Sequence, residues 1–150
     1  MESDEYLYHT LFPELSYVDN IELRFLIDGK ETDVLSHHAG VEVEYRFRLK
    51  KEVTQLNVSL VFYRKDGLQL ATISTLNGDQ LAHVHGGEVH CRVRIKDFFL
   101  NPGRYVLVMP IHDGKSYLYR DVVKEFVVKS GPAMAWNVAD FSYDFEVLEP

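Results

Sequence analysis

The sequence has one cysteine, no long apolar run and no nucleotide-binding motif, and each absence excludes a class of protein. Because Cys91 has no partner cysteine in the chain, a disulfide framework is excluded, which fits a reducing compartment. No apolar run approaches the length that crosses a bilayer, and the acidic residues 1–5 do not resemble a secretory signal. Neither Gly-x-x-x-x-Gly-Lys-Ser/Thr nor Gly-x-Gly-x-x-Gly occurs, so no nucleotide-binding loop is predicted.

Positive charge is also scarce. The 150 residues contain 16 Lys and Arg against 23 Asp and Glu, a formal net charge of −7. Nucleic acids and anionic lipids recruit clustered Lys and Arg, so neither is predicted as the main partner. Apolar residues make up 46% and aromatic residues 13% of the chain, which is enough to build a folded domain with a sizeable core.

Apolar and polar residues alternate with a period of two along most of the chain, which is the pattern of half-buried β-strands. The alternating segments end at turn signals such as Asp28-Gly29, Asp66-Gly67 and Asn77-Gly78. A spacing of roughly ten residues between strands is typical of a β-sandwich or barrel. The predicted strands cover residues 21–27, 41–49, 56–64, 68–76, 89–95, 105–111 and 122–129.

The stretch from Phe99 to His112 is the most informative part of the chain. Pro102 and Gly103 predict a tight turn between two strands. Tyr105, two residues after Gly103, stands where a tyrosine corner pins the connection between strands E and F of an immunoglobulin-like sandwich. We therefore predict an all-β, immunoglobulin-like antiparallel β-sandwich of about seven or eight strands. Because such a fold carries no chemistry of its own, its function has to be sought among exposed side chains.

Both ends of the chain lie outside this predicted core. Residues 1–16 are predicted to be a linker or arm, residues 17–130 the sandwich, and residues 131–150 a C-terminal extension. A terminal strand on a Gly-Pro hinge can pair with a second copy of the chain, or it can add an eighth strand to its own sheet. The apolar face of this predicted strand consists of Ala139, Phe141, Tyr143, Phe145 and Val147.

Seven histidines raise the question of a metal site. His83 and His85 share one side of an extended segment, and His37, His38 and His90 could join them. No cysteine or carboxylate stands at zinc-ligand spacing from the first pair. We therefore expect solvated loop histidines and no metal or other cofactor.

Catalytic motifs are missing as well. No Gly-x-Ser-x-Gly elbow surrounds a serine, and acidic residues such as Asp28, Asp66 and Asp113 precede glycine in predicted turns. We therefore predict a non-catalytic protein with no catalytic residues. A pair of carboxylates brought together only by the fold, as in glycoside hydrolases, stays an open alternative.

The outward face of the predicted sheet offers binding residues. If Leu56 and Phe62 point into the core, alternation turns the intervening polar residues outward, and the strand 105–111 and the return strand 68–76 contribute further members. Aromatic rings with amide and hydroxyl groups suit sugar recognition, and the same mixture suits a protein interface in which Val61, Val106 and Val108 are covered by a partner. The predicted carbohydrate-binding residues are Asn57, Ser59, Tyr63, Thr72, Ser74 and His112.

Several fragments of the sequence resemble one family. They are residues 61–67 (Val-Phe-Tyr-Arg-Lys-Asp-Gly), 75–77, 100–105, 111–113 and 126–128. Their order and spacing resemble the C-terminal carbohydrate-binding domain of the ATP-binding subunit of O-antigen polysaccharide ABC exporters, the Wzt type. These fragments are turn and core positions, so the resemblance does not identify the residues that contact sugar.

The resemblance implies a function, a location and partners. It implies an immunoglobulin-like sandwich that binds the non-reducing end of the O-polysaccharide glycan at the cytoplasmic face of the inner membrane and gives the exporter its specificity. It also implies a homodimer that exchanges C-terminal strands, with the transporter ATPase domain and membrane subunit as further partners. In this interpretation, Tyr63→Ala should weaken glycan binding without loss of folding. The alternatives are a structural or protein-interaction sandwich that mediates dimerisation, and a small glycan-processing enzyme.

Overall fold

The computed structural model describes residues 11–74, 87–129 and 145–148. All regular secondary structure in these residues is β-strand, which confirms the predicted all-β class. Nine strands follow one another along the described chain. They are β1 (Val18–Ile27), β2 (Lys30–Glu31), β3 (Val34–Ser36), β4 (Val41–Leu49), β5 (Leu56–Arg64), β6 (Gln69–Ser74), β7 (Glu88–Ile95), β8 (Gly103–Asp113) and β9 (Ser116–Lys129).

The strands form two sheets that pack as a sandwich. One sheet has four strands in the order β2-β1-β4-β7, and the other has five in the order β3-β9-β8-β5-β6. All pairs are antiparallel except β3 with β9, which run parallel. The chain leaves the first sheet after Glu31 and enters the second at Val34, so a two-residue crossing links the sheets.

The core lies between the sheets and follows the period-two pattern. Phe25 of β1, Phe47 of β4, and Leu107, Met109 and Ile111 of β8 are fully buried. Burying a side chain of this size contributes about 1.5–3 kcal/mol to folding, so these inward rows drive sheet association. Four rings pack edge to face in this interior, those of Phe25, Phe62, Phe98 and Phe126.

The tyrosine corner predicted at Tyr105 is confirmed. Its hydroxyl donates a hydrogen bond to the backbone carbonyl of Asn101, four residues upstream and buried. The ring stacks on Phe126 with centroids 5.6 Å apart, so the corner joins the turn before β8 to strand β9. Burial raises the pKa of the Tyr105 hydroxyl, which keeps this donor protonated.

The structure extends the predicted set of strands. β2 and β3 were not predicted because two or three residues are too short for alternation to be recognised. β9 begins at Ser116 rather than Val122, since the return strand of a hairpin starts as soon as the turn at Asp113 and Gly114 is complete. The predicted strand 68–76 is observed as β6, and Asn77-Gly78 lies outside the described residues.

The predicted C-terminal strand falls mostly outside the described residues. Residues 139–144 are not described, and Phe145–Leu148 form no strand. Phe145, Val147 and Leu148 are 84%, 81% and 77% exposed, because no described strand pairs with them. Contiguous exposed apolar patches, unlike single exposed residues, mark interaction surfaces.

The tyrosine corner can be tested by removing one oxygen atom. Tyr105→Phe should lower the free energy of unfolding by about 1–3 kcal/mol, because the buried Asn101 carbonyl loses its donor. Urea denaturation followed by circular dichroism measures the change. Tyr117→Phe, at a half-exposed position, serves as control and should stay within about 0.5 kcal/mol. Equal stability of the Tyr105→Phe variant and wild type would contradict a structural role for the corner.

Candidate functional site

The outer face of the four-stranded sheet is a mosaic of paired charges. Glu44 lies at its centre on β4, flanked across the strands by Arg24 and Arg92, whose guanidinium nitrogens lie 2.9 Å from its carboxylate oxygens. His90 is 3.3 Å from the same carboxylate. Hydrogen bonds from Arg92 lower the pKa of Glu44 to about 2, although desolvation by burial acts in the opposite direction. Arg24 and His90 lower this pKa further.

Each arginine of this charged face has a carboxylate partner. Arg48 pairs with Asp19 at 2.6 Å and Arg94 with Glu42 at 3.3 Å, and Arg46 lies 3.7 Å from Glu22. Charges that neutralise one another within a sheet leave little net field to attract an ionic ligand. The residues that the sequence predicts as binding residues lie on the opposite sheet.

The register of β5, β8 and β9 determines which side chains share the outer face of the five-stranded sheet. Asn57 pairs with His112 and Val61 with Val108 in one unbroken register, so both pairs face the same side. On the next strand, His112 pairs with Tyr117. We name the two regions of this face by their chemistry. The polar end consists of Asn57, Ser59, Ser74, His112 and Tyr117, and the apolar end consists of Val61, Tyr63, Val106 and Val108.

The polar end presents hydrogen-bonding groups around two rings. The hydroxyl oxygens of Ser59 and Ser74 lie 2.8 Å apart across β5 and β6. The rings of His112 and Tyr117 meet edge to face with centroids 4.3 Å apart, and Tyr117 is 50% exposed. Burial, and secondarily the charge of Arg120, lowers the pKa of His112, so this ring is neutral at pH 7.

The apolar end is covered by the chain itself. Leu11 and Val122 pack against this cluster, and Phe12 forms two backbone hydrogen bonds with Arg120 of β9, at 2.7 and 2.8 Å. The buried guanidinium of Arg120 donates a hydrogen bond to the Tyr63 hydroxyl at 3.1 Å. Residues 11 and 12 therefore lie against the face as an arm, within the segment predicted to be a linker or arm.

The structure separates the six predicted site residues into groups. Asn57, Ser59, Ser74 and His112 lie together at the polar end, and Thr72 is exposed next to Ser74 on the edge strand β6. Tyr63 lies on the predicted face but is only 3% exposed, so its ring cannot stack on a sugar in this structure. This burial argues against the expectation that Tyr63→Ala leaves folding intact.

The valines of the apolar end require a similar correction. Val61, Val106 and Val108 face outward, as alternation predicts, but they are buried within the single chain rather than free for a partner. Sequence reasoning also missed Tyr117 and Arg120, because it began the last strand at Val122. The turn at Asp113 and Gly114 could have revealed them, because the second strand of a hairpin begins directly after such a tight turn.

The described residues His37, His38 and Cys91 contact other parts of the fold and are not arranged as metal ligands. The described residues contain no group of three or more His, Cys, Asp or Glu that could hold a metal ion, and His83 and His85 lie outside them. His37 bonds the Leu100 carbonyl at 2.9 Å and His38 bonds Asp97 at 2.8 Å, so they fix a loop instead of being simply solvated. Cys91 packs half-buried against the core, in line with the role of a small apolar residue.

Comparison with known proteins identifies the family. A sequence model of the Wzt C-terminal domain matches residues 19–138, which is most of the chain. The chain belongs to the Wzt C-terminal domain family. A crystal structure of the C-terminal domain of Wzt superposes on this chain with a TM-score of 0.71 and 14% identity, covering 96% of both chains. This likeness confirms the sandwich fold, and no curated protein matches the sequence.

Two other solved structures are less similar to this chain. The CARDB domain of a Pyrococcus furiosus protein matches with a TM-score of 0.47 and 10% identity, over 76% of this chain and 90% of the other. An immunoglobulin-like protein from Pseudomonas aeruginosa matches with a TM-score of 0.39 and 13% identity, over 76% and 98%. Both scores are too low to bear on function. In the described part of this Wzt C-terminal domain, no helix has the length and hydropathy to span a bilayer.

The burial of Tyr63 in this Wzt C-terminal domain predicts a loss of stability on truncation. Tyr63→Ala should lower the free energy of unfolding by about 3–5 kcal/mol, since it empties a packed volume and removes an acceptor from Arg120. Tyr63→Phe should cost about 1–3 kcal/mol because only the hydrogen bond is lost. Chemical denaturation measures both, with exposed Thr72→Ala as control. Wild-type stability of Tyr63→Ala would show that the arm does not cover this ring in solution.

Proposed function

We propose that this domain is a non-catalytic glycan-binding module that recognises the non-reducing end of an O-antigen polysaccharide and gives an ABC exporter its specificity. The polar end of the five-stranded sheet is the observation that carries the proposal. It combines an amide, two hydroxyls and a half-exposed tyrosine on a rigid strand scaffold in a family of carbohydrate-binding domains.

The chemistry of the polar end suits a sugar. A pyranose presents hydroxyls that both donate and accept hydrogen bonds, and faces of C–H groups that pack on aromatic rings. The Asn57 amide offers donors and an acceptor, and the Ser59 and Ser74 hydroxyls do both. Thr72 extends this set along β6. We assign contact with the glycan to Asn57, Thr72, Ser74 and His112. Ser59, which is buried, and Tyr63 have supporting roles, Ser59 through its hydrogen bond with Ser74 and Tyr63 through Arg120.

Binding of a glycan at the polar end needs no conformational change. The polar end is built on β5, β6, β8 and β9, and the register between these strands holds the binding groups in fixed positions. A preformed site loses little entropy on binding, so several modest hydrogen bonds can discriminate between polysaccharides. Within the proposal, the domain acts at the cytoplasmic face of the inner membrane, with the transporter ATPase domain and membrane subunit as partners.

Calorimetric titration with the O-polysaccharide of the source strain tests the proposal. Saturable binding is expected, with none to the polysaccharide of an unrelated serotype. Asn57→Ala should weaken binding about 5- to 10-fold, because one or two hydrogen bonds are worth roughly 1–1.5 kcal/mol. Arg94→Ala, an exposed change on the charged face, serves as control and should bind like wild type. Failure of the folded wild-type chain to bind its own polysaccharide would refute the function.

We also propose that the domain forms a homodimer through its C-terminal strand. Support comes from the exposure of Phe145, Val147 and Leu148, whose burial in a partner would remove a large apolar surface from water. The alternating sequence of residues 139–147 is that of a strand able to add to a sheet edge. Exchange of this strand between two copies satisfies both features.

Light scattering on the full chain tests the dimer. Wild type should show twice the mass of 17.4 kDa, whereas Phe145→Asp combined with Val147→Asp should shift the protein to monomer by placing charges on the buried face. Glu146→Gln, on the opposite face of the same segment, is the matched control and should remain dimeric. A monomeric wild type at micromolar concentration would overturn the proposal.

A further inference from the structure

One cross-strand row of the polar end combines an exposed ring with neutral hydrogen-bonding groups. Asn57 of β5, His112 of β8 and Tyr117 of β9 are direct neighbours in register at the end of the sheet nearest the β8–β9 turn. Asn57 and His112 are partly exposed, and half of the Tyr117 side chain is open to solvent. The described part of the polar end offers no other exposed aromatic side chain, since Tyr63 is buried at the apolar end.

His112 fixes how Tyr117 is presented. The two rings meet at 66° with centroids 4.3 Å apart, so the edge of one rests against the face of the other. The contact with His112 occupies one side of the Tyr117 ring and restricts its motion. The other side of the Tyr117 ring is left for a ligand. A ring held in place by its neighbour loses little freedom when a sugar packs on it.

The charges around the row do not favour an anionic ligand. Burial and the charge of Arg120 lower the pKa of His112, so it carries no positive charge at neutral pH. Arg120 itself is buried and donates to the Tyr63 hydroxyl. Asp113, next to His112, is a carboxylate that accepts from the Gln55 backbone at 3.1 Å and lies within 3.4 Å of the Thr54 hydroxyl. The nearest exposed cation along the chain is Lys115, at the tip of the turn.

We propose that the Asn57–His112–Tyr117 row is the subsite for a neutral pyranose, with the Tyr117 ring as its stacking platform. The C–H face of the sugar packs on Tyr117, and the Asn57 amide hydrogen-bonds to adjacent hydroxyls. A uronic acid or phosphorylated sugar is rejected because the row offers no exposed cation to pair with its anion. This subsite rests on the proposed glycan-binding function, and it assigns the stacking role to Tyr117 in place of Tyr63.

Titration of the full chain with its O-polysaccharide, and with single sugars, tests the subsite. Tyr117→Ala should weaken polysaccharide binding at least tenfold, and Tyr117→Leu nearly as much, because a branched apolar side chain has bulk but no flat face. Tyr117→Phe should stay within about twofold, since stacking needs the ring and not the hydroxyl. Tyr17→Ala is the control, because Tyr17 is also exposed and contacts Lys51 on another part of the surface.

Saturation-transfer NMR supplies the second readout. Neutral hexoses and 6-deoxyhexoses should receive saturation at ring C–H protons, and the corresponding uronic acids should not. The proposal is overturned if Tyr117→Ala and Tyr117→Leu bind the polysaccharide like wild type, or if uronic acids bind better than neutral sugars. Those results would leave the glycan-binding function standing, whereas no binding by wild type refutes both.

Discussion

The bulge-free register between β5 and β8 is the constraint on which the rest of this structure depends. Outward residues of β5 face outward residues of β8 at both ends of this pairing, Asn57 with His112 at one end and Tyr63 with Val106 at the other. Because side chains alternate along a strand, a slip of one residue would exchange this outer face with the core. The same register therefore fills the interior with Leu107, Met109 and Ile111 and places the polar groups outside.

Pro110 of β8 lies within this register and interrupts the pairing with β5. Proline has no N–H to give to a neighbouring strand, and no pairing is formed between Val58–Ile111 and Val61–Val108. On the other side, Pro110 stands opposite Arg120, whose backbone N–H and C=O are both bonded to Phe12. Pro110 of β8 therefore lies at the position where the arm pairs with β9 and where the polar end meets the apolar end.

How much of this could be predicted depends on the range of the interactions. The tyrosine corner at Tyr105 and the outward set of β5 and β8 were predictable, because a turn signal and alternation are local properties of the sequence. The burial of Tyr63 was not, since it depends on Leu11, about fifty residues away in the chain, and alternation gives the face of a residue but not what covers that face. Tyr117 was overlooked because a strand start was read from apolar residues alone, whereas the hairpin geometry sets it at Ser116.

The arm also gives the domain a mechanical property. Phe12 is held by two backbone hydrogen bonds and the packing of Leu11, whereas β1, which follows it, is paired with β4 along most of its length. A pulling force on the N-terminal side of Leu11 would load the Phe12–Arg120 bridge first and open it before the sandwich yields. Its rupture would expose part of the apolar end, so tension in the chain would change the surface beside the polar end.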